Sequence, residues 1–195
     1  MVREMVDREQ ERAALLKAAQ TSPALIILVG RRRVGKSFLL NRTFTGGRVV
    51  FFQGDEQDER RHLDLLAAEA GRALLGTGAL HFETWDAALT FLGQQVSSGP
   101  LTVILDEFQW LKRSQPAIDS IIQRHWDRWD RDRAPITLVL AGSALTFMEQ
   151  LLVQGAPSER VGEIAFAAGV PVHELLTDDG SLEDIFLELT SEAPA

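Results

Sequence analysis

Short runs of apolar, often β-branched residues alternate along this chain with longer stretches in which apolar positions recur every three or four residues. The first pattern is typical of buried strands and the second of amphipathic helices. The apolar runs predict strands at residues 24–29, 48–53, 101–107, 136–141, 161–166 and 170–176. The helical spacing predicts helices at residues 9–19, 38–44, 62–75, 85–96, 116–129, 144–154 and 181–189.

Strands that alternate with helices favour an α/β fold, because each helix crosses back over the sheet and brings in the next strand. We therefore expect a three-layer αβα sandwich, in which a mostly parallel sheet carries helices on both faces. A chain of 195 residues is long enough for one such domain. We place this domain at residues 1–166 and expect residues 167–195 to form a short C-terminal α/β tail.

The segment between the first strand and the second helix, residues 30–37, has the spacing of a phosphate-binding P-loop. Gly30 is followed after four residues by Gly35, Lys36 and Ser37. Glycines let backbone N–H groups turn toward a phosphate, and the helix N-terminus adds positive charge. Lys36 would reach the β- and γ-phosphates, and the Ser37 hydroxyl would bind Mg²⁺. The predicted nucleotide-binding residues are Gly30, Arg31, Arg32, Arg33, Val34, Gly35, Lys36, Ser37 and Phe38.

The predicted strand at residues 101–107 ends in two adjacent carboxylates, Asp106 and Glu107. In P-loop enzymes this is the Walker B arrangement, in which the first acid holds Mg²⁺ and the second activates the attacking water. Asp106 would then be a metal ligand with Ser37, and Glu107 the catalytic base. Taken alone, the pair is a weak signal, and a strand that runs into a polar loop is the better interpretation, but the P-loop upstream favours catalysis.

Two further groups of residues have more than one interpretation. Ser143 follows the strand at residues 136–141, where a polar side chain lies beside the γ-phosphate in related enzymes. It also suits the N-cap of the helix at residues 144–154. Arg31, Arg32 and Arg33 either neutralise phosphate charge or are simply solvated. With Lys36 and Glu107, Ser143 completes the predicted catalytic residues.

Composition narrows the class of protein. The formal net charge of −8 disfavours broad binding to nucleic acid but leaves a local ATP site unaffected. The absence of cysteine excludes a disulfide framework, a thiolate metal site and a cysteine nucleophile. The charged first residues lack the apolar core of a signal peptide, and the longest apolar run has six residues. We therefore expect a cytoplasmic protein without membrane insertion.

Four stretches together resemble the archaeal-type ATPases of the AAA+/STAND group of P-loop NTPases. They are residues 6–9 (Val-Asp-Arg-Glu), 30–37, 103–111 (Val-Ile-Leu-Asp-Glu-Phe-Gln-Trp-Leu) and 140–149. The resemblance covers about residues 1–155 and implies that the nucleotide is ATP. It implies that the P-loop strand lies beside the strand at residues 136–141, and that Ser143 is the residue called sensor 1. Arg31 stands where the family often has proline.

The tail departs from that family. The family continues with a Pro-Leu-Tyr-Gly-Arg-like turn, a fifth strand and a helical lid, and residues 156–160 follow that turn only in part. Residues 167–175 and 181–190 instead resemble the extreme C-terminus of ABC-transporter ATPase subunits, an accessory piece without catalytic residues. The ABC signature Leu-Ser-Gly-Gly-Gln is absent from the chain, which argues against a working ABC subunit.

The sequence therefore predicts a Mg²⁺-dependent ATP-binding protein that hydrolyses ATP slowly as a switch or motor module. One alternative is a regulatory nucleotide-binding module that does not hydrolyse ATP. Another is a remnant subunit of an ABC-type transporter. The sequence is compatible with a homo-oligomer or with a protein partner. Its negative net charge disfavours nucleic acid as a partner.

Overall fold

This computed structural model describes residues 8–30, 33–142 and 161–166 of the chain. Its centre is a five-stranded sheet in the order β2-β3-β4-β1-β5, and every neighbouring pair of strands is parallel. The strands are β1 (Ala24–Gly30), β2 (Arg48–Gln53), β3 (Leu101–Asp106), β4 (Ile136–Gly142) and β5 (Val161–Phe166). Five of the predicted strands are confirmed, and β1 lies beside β4 as the family resemblance implies.

Helices connect these strands in the described residues. They are α1 (Glu9–Ala19), α2 (Lys36–Thr43), α3 (Glu59–Leu75), α4 (Trp85–Gln94), α5 (Phe108–Ser114) and α6 (Ile118–Arg131), and a 3₁₀-helix at Gln95–Ser98 follows α4. Within this part of the chain no helix is both long and apolar enough to cross a membrane.

The sheet is buried on both faces. Alternate residues of β1 belong to different core clusters, with Leu25 and Ile27 in one and Ile26 and Leu28 in the other. Helices α3, α4, α5 and α6 contribute to the first cluster, and α1 and α2 contribute to the second. Burial on both faces explains why β1 is apolar at successive positions rather than at alternate ones. The predicted αβα sandwich is therefore confirmed.

Five helices differ from the prediction, two of them, α4 and α6, by only two residues at their ends. α3 begins three residues early, at Glu59, because the Asp58 side chain accepts a hydrogen bond from the Arg61 N–H (2.8 Å) and caps the helix. α2 begins at Lys36, inside the P-loop, rather than at residue 38. The sequence pattern does not predict α5, because its seven residues make only two turns and show no clear period.

Some predictions lie outside the described residues. These are the helices at residues 144–154 and 181–189 and the strand at residues 170–176. The separation of a core at residues 1–166 from a tail at residues 167–195 stays a prediction for the same reason.

Candidate nucleotide-binding site

The P-loop leads from the last residue of β1 directly into the first turn of α2. Gly35 precedes α2 and has a φ of +87°, a left-handed conformation that glycine adopts without steric cost. Arg33 is also left-handed, with a φ of +68°. This tight backbone brings Lys36 and Ser37 to the helix N-terminus, as the spacing of the glycines predicts.

The Lys36 side chain lies across the loop and is buried. Its Nζ donates a hydrogen bond to the Gly30 carbonyl oxygen at 2.7 Å, and the residue is only 5% exposed. The first and last parts of the loop are therefore joined through this side chain. A buried ammonium group beside a helix N-terminus concentrates positive charge, which favours an anionic ligand such as a phosphate.

Ser37 and Asp106 meet at the carboxyl end of the sheet. β4 separates β3 from β1, yet Ser37 Oγ donates a hydrogen bond to Asp106 Oδ2. The Glu107 N–H donates to Asp106 Oδ1 at 2.9 Å. The predicted metal ligands, which are 69 positions apart in the sequence, are therefore direct neighbours.

Asp106 is a fully buried carboxyl group. Burial raises its pKa above the ordinary value, and the hydrogen bonds from Ser37 and from the Glu107 N–H oppose this rise only in part. A nearby cation would stabilise the charged form. The serine hydroxyl and the carboxylate are hard oxygen donors of the kind that Mg²⁺ prefers, so the two residues fit this ion. Among the described residues, no group of three or more His, Asp or Glu side chains offers another metal site.

Glu107 turns the chain from β3 into α5. Its backbone is left-handed, with a φ of 52° and a ψ of 44°, which is uncommon for a residue other than glycine. Its carbonyl oxygen accepts a hydrogen bond from the Trp110 N–H at 3.0 Å. Its carboxylate accepts another from Gln109 Nε2. The predicted catalytic base therefore adjoins the candidate metal ligand Asp106, and α5 contacts its side chain.

The loop after β2 packs closely against this turn. The Gly54 N–H donates to the Asp106 carbonyl oxygen at 2.9 Å. A Cβ atom on Gly54 would lie 2.3 Å from Leu111 Cδ1 and 3.2 Å from the Glu107 carbonyl oxygen. Since this space is filled, a residue with no side chain allows the approach. Sequence reasoning missed this glycine, because nothing in its local pattern distinguishes it from other loop glycines.

Arg8 is a second residue near the site that sequence reasoning gave no role. Its Nη1 lies 3.9 Å from the position that a Cβ on Gly35 would occupy, so the guanidinium group adjoins the P-loop. Its place in the stretch at residues 6–9, which carries part of the family resemblance, is the sequence signal that points to it. A second cation beside the loop adds to the positive charge from Lys36 and α2.

The remaining predicted binding residues differ in their surroundings. Phe38 lies in the first turn of α2 and is 44% exposed, and the guanidinium carbon of Arg42 lies 5.5 Å from its ring centroid. Arg33 is exposed and Val34 is half-buried. Three predicted site residues lie outside the described residues, so their roles stay predictions: Arg31, Arg32 and Ser143.

Comparison with known sequences gives two matches. A family described as a domain of unknown function (DUF8746) matches residues 131–183. An uncharacterized protein of Methanocaldococcus jannaschii is 27% identical over 154 residues, which cover 78% of this chain and 33% of that protein. The chain thus spans about a third of the length of this curated relative.

Solved structures of several ATPases are similar in fold to this chain. A Walker-type ATPase of Pyrococcus abyssi matches with a TM-score of 0.62 and 19% identity, covering 83% of this chain and 53% of that one. Cdc6p of Pyrobaculum aerophilum matches with a TM-score of 0.53 and 19% identity, covering 83% of this chain and 46% of that one. A chain of the Drosophila ORC bound to DNA matches with a TM-score of 0.55 and 14% identity, covering 82% of this chain and 41% of that one.

These structural matches show that the described core shares the α/β fold of solved P-loop-type ATPases, as the sequence predicts. At such low identity the likeness concerns the fold alone. This chain also spans only about half, or less, of each matched chain.

Proposed function

We propose that the chain binds Mg²⁺-ATP and hydrolyses it slowly, as a switch or motor module. The hydrogen bond between Ser37 and Asp106 is the observation that carries this proposal. It joins the P-loop to the acidic end of β3, beside the buried ammonium group of Lys36. A candidate phosphate site, two candidate metal ligands and a candidate base are thus neighbours at one edge of the sheet.

Each residue of the site has a distinct role in this proposal. Lys36 exchanges its hydrogen bond to Gly30 for one to the β- and γ-phosphates, while the backbone N–H groups of the P-loop bind the phosphate oxygens. Ser37 and Asp106 hold Mg²⁺, which when bound neutralises phosphate charge. Glu107 orients the attacking water and accepts its proton.

Nucleotide binding is tested by calorimetric titration of ATP in the presence of Mg²⁺. Lys36→Ala is expected to weaken binding by at least about tenfold, because a charge-assisted hydrogen bond to phosphate is lost. Lys112→Ala is the matched control, since the Lys112 ammonium pairs with Asp119 on α6 at 2.5 Å. Equal affinity of the wild type and Lys36→Ala would exclude the P-loop as the binding site.

Hydrolysis is tested by phosphate release from the same samples. Glu107→Gln is expected to keep ATP affinity and to lower turnover by about 100-fold or more, as for other positioned bases. Glu59→Gln is the control, because Glu59 accepts a hydrogen bond from Gln115 (2.7 Å) and has no assigned role at the site. Turnover that survives in Glu107→Gln would show that another group activates the water.

The same measurements separate the proposal from the regulatory alternative. A wild type that binds ATP but releases no phosphate would be a nucleotide-binding module rather than an ATPase. We also propose residues 1–166 as the ATPase core and residues 167–195 as an appended tail. The transporter-remnant hypothesis rests on that tail, so pull-down of soluble partners alone would count against it.

A further inference from the structure

We propose that Gln109 is a positioning residue, which holds the Glu107 carboxylate in the orientation needed to activate water. This inference rests on the proposed ATPase function of the same site. Gln109 lies in the first turn of α5, and its Nε2 donates a hydrogen bond to Glu107 Oε2. The sequence analysis assigns no role to Gln109.

The backbone of Glu107 is already fixed before its side chain is considered. Its N–H donates to Asp106 Oδ1 at 2.9 Å, and its carbonyl oxygen accepts from the Trp110 N–H at 3.0 Å. The Glu107 side chain nevertheless has several rotatable bonds, and ordering such a chain costs conformational entropy. The hydrogen bond from Gln109 restricts these torsions from the adjacent helix.

Orientation matters because a general base has to lie within hydrogen-bond reach of the proton that it removes. A displacement of about 1 Å can lower a reaction rate by about 100-fold. Gln109 is also suited to this role because its side-chain amide is neutral. A neutral amide restrains a carboxylate without forming the strong ion pair that Lys or Arg would make, and such a pair would compete with proton uptake.

Gln109 is connected to the candidate metal ligands through continuous hydrogen bonds. Ser37 Oγ and the Glu107 N–H both donate to the Asp106 carboxylate, and Gln109 donates to the Glu107 carboxylate. The position of the first turn of α5 is therefore transmitted to the base. Loss of this contact should change catalysis more than nucleotide binding.

The same helix provides a matched comparison at its other end. Gln115 caps the C-terminus of α5, and its Nε2 donates to Glu59 Oε1 on α3 at 2.7 Å. Both pairs join a glutamine amide to a glutamate at one end of α5, to the N-cap residue Glu107 in one case and to α3 in the other. If Gln109 only anchored the helix, removing either amide would have similar consequences for turnover.

The experiment compares Gln109→Met and Gln109→Glu with Gln115→Met and Gln115→Glu in the full chain. Methionine removes the donor at nearly constant length, and glutamate adds repulsion. The two Gln109 variants are expected to lower kcat by about 10- to 100-fold, with the Kd for Mg²⁺-ATP within about twofold of wild type. The Gln115 variants are expected to keep kcat within about twofold, even where urea denaturation shows an equal loss of stability.

The outcomes separate this inference from the proposed function. The proposal that Gln109 positions Glu107 is wrong if kcat falls equally in the Gln109 and Gln115 variants. It is also wrong if the Gln109 variants bind ATP more weakly by the same factor as their kcat falls. In that case wild-type hydrolysis and the effect of Glu107→Gln would remain. A wild type that releases no phosphate overturns both proposals before the variants are compared. Circular dichroism checks folding, and Gln109→Met still tests the positioning role if Gln109→Glu does not fold.

Discussion

The contact between Gly54 and the turn after β3 makes a specific prediction about stability. In Gly54→Ala the new methyl carbon would lie 2.3 Å from Leu111 Cδ1, 3.2 Å from the Glu107 carbonyl oxygen and 3.5 Å from the Asp106 carbonyl oxygen. Ordinary carbon–carbon contacts begin at about 3.5 Å, so the methyl group and the leucine must separate by about 1 Å. Leu111 is fully buried and cannot swing into solvent.

We therefore expect Gly54→Ala to lower the free energy of unfolding by about 1–3 kcal/mol, the usual cost of overpacking a core. Gly46→Ala is the matched control, since a Cβ there meets nothing within 4 Å. Its stability should stay the same or rise by up to about 1 kcal/mol, because alanine restricts the unfolded chain.

Urea denaturation followed by tryptophan fluorescence measures both variants, since Trp85, Trp126 and Trp129 are buried in the fold. With a denaturant slope of about 2 kcal/mol/M, the Gly54→Ala midpoint should fall by about 0.5–1.5 M. Equal midpoints for Gly54→Ala and Gly46→Ala would refute the close packing of the β2 loop against α5. They would also show that this loop does not restrain the backbone of Asp106 and Glu107.

Three further predictions follow from the geometry. Gly35→Ala and Gly47→Ala both place a side chain at positive φ (+87° and +83°), so each should lower the free energy of unfolding by about 1–2 kcal/mol. Only Gly35→Ala should also weaken ATP binding, measured by calorimetry. Burial raises the pKa of Asp106 in the folded state above 3.8, so its carboxylate destabilises the metal-free fold at neutral pH. This loss of folding stability disappears as the pH falls through the raised pKa. Asp106→Asn should therefore raise the urea midpoint at about pH 7.5 without Mg²⁺, and the gain should vanish by about pH 4. Gly93→Ala places a methyl group 2.4 Å from Trp129 Nε1, so we expect a loss of about 1–3 kcal/mol, measured by the same denaturation.

The features predicted correctly from the sequence are those encoded by local patterns. The continuous apolar run of β1 reflects a strand buried on both faces, and the spacing of Gly30, Gly35, Lys36 and Ser37 specifies a tight loop before a helix. Both signals come from residues that are close together in the sequence. For the same reason the predicted strand limits differ from the observed ones by only a residue.

The features missed by sequence reasoning depend on long-range packing or on local backbone geometry that a periodic pattern does not show. Gly54 and Leu111 touch across more than fifty positions of sequence, so no local pattern distinguishes Gly54 from Gly46. The bond from Gln109 to Glu107 depends on the left-handed turn that begins α5, and this helix is too short for its period to be recognised. Arg8 adjoins Gly35 only because α1 packs against α2 in the folded chain.

In the proposed mechanism, the left-handed turn at Glu107 lets two consecutive acids have different roles. If β3 continued through Glu107, its side chain would be directed to the opposite face of the sheet from that of Asp106. The turn ends the strand at Asp106 and removes Glu107 from this alternation. Asp106 then stays fixed in the core, while the Glu107 carboxylate depends on Gln109 in α5. In that mechanism, a movement of α5 relative to the sheet would change the rate of hydrolysis by moving the Glu107 carboxylate.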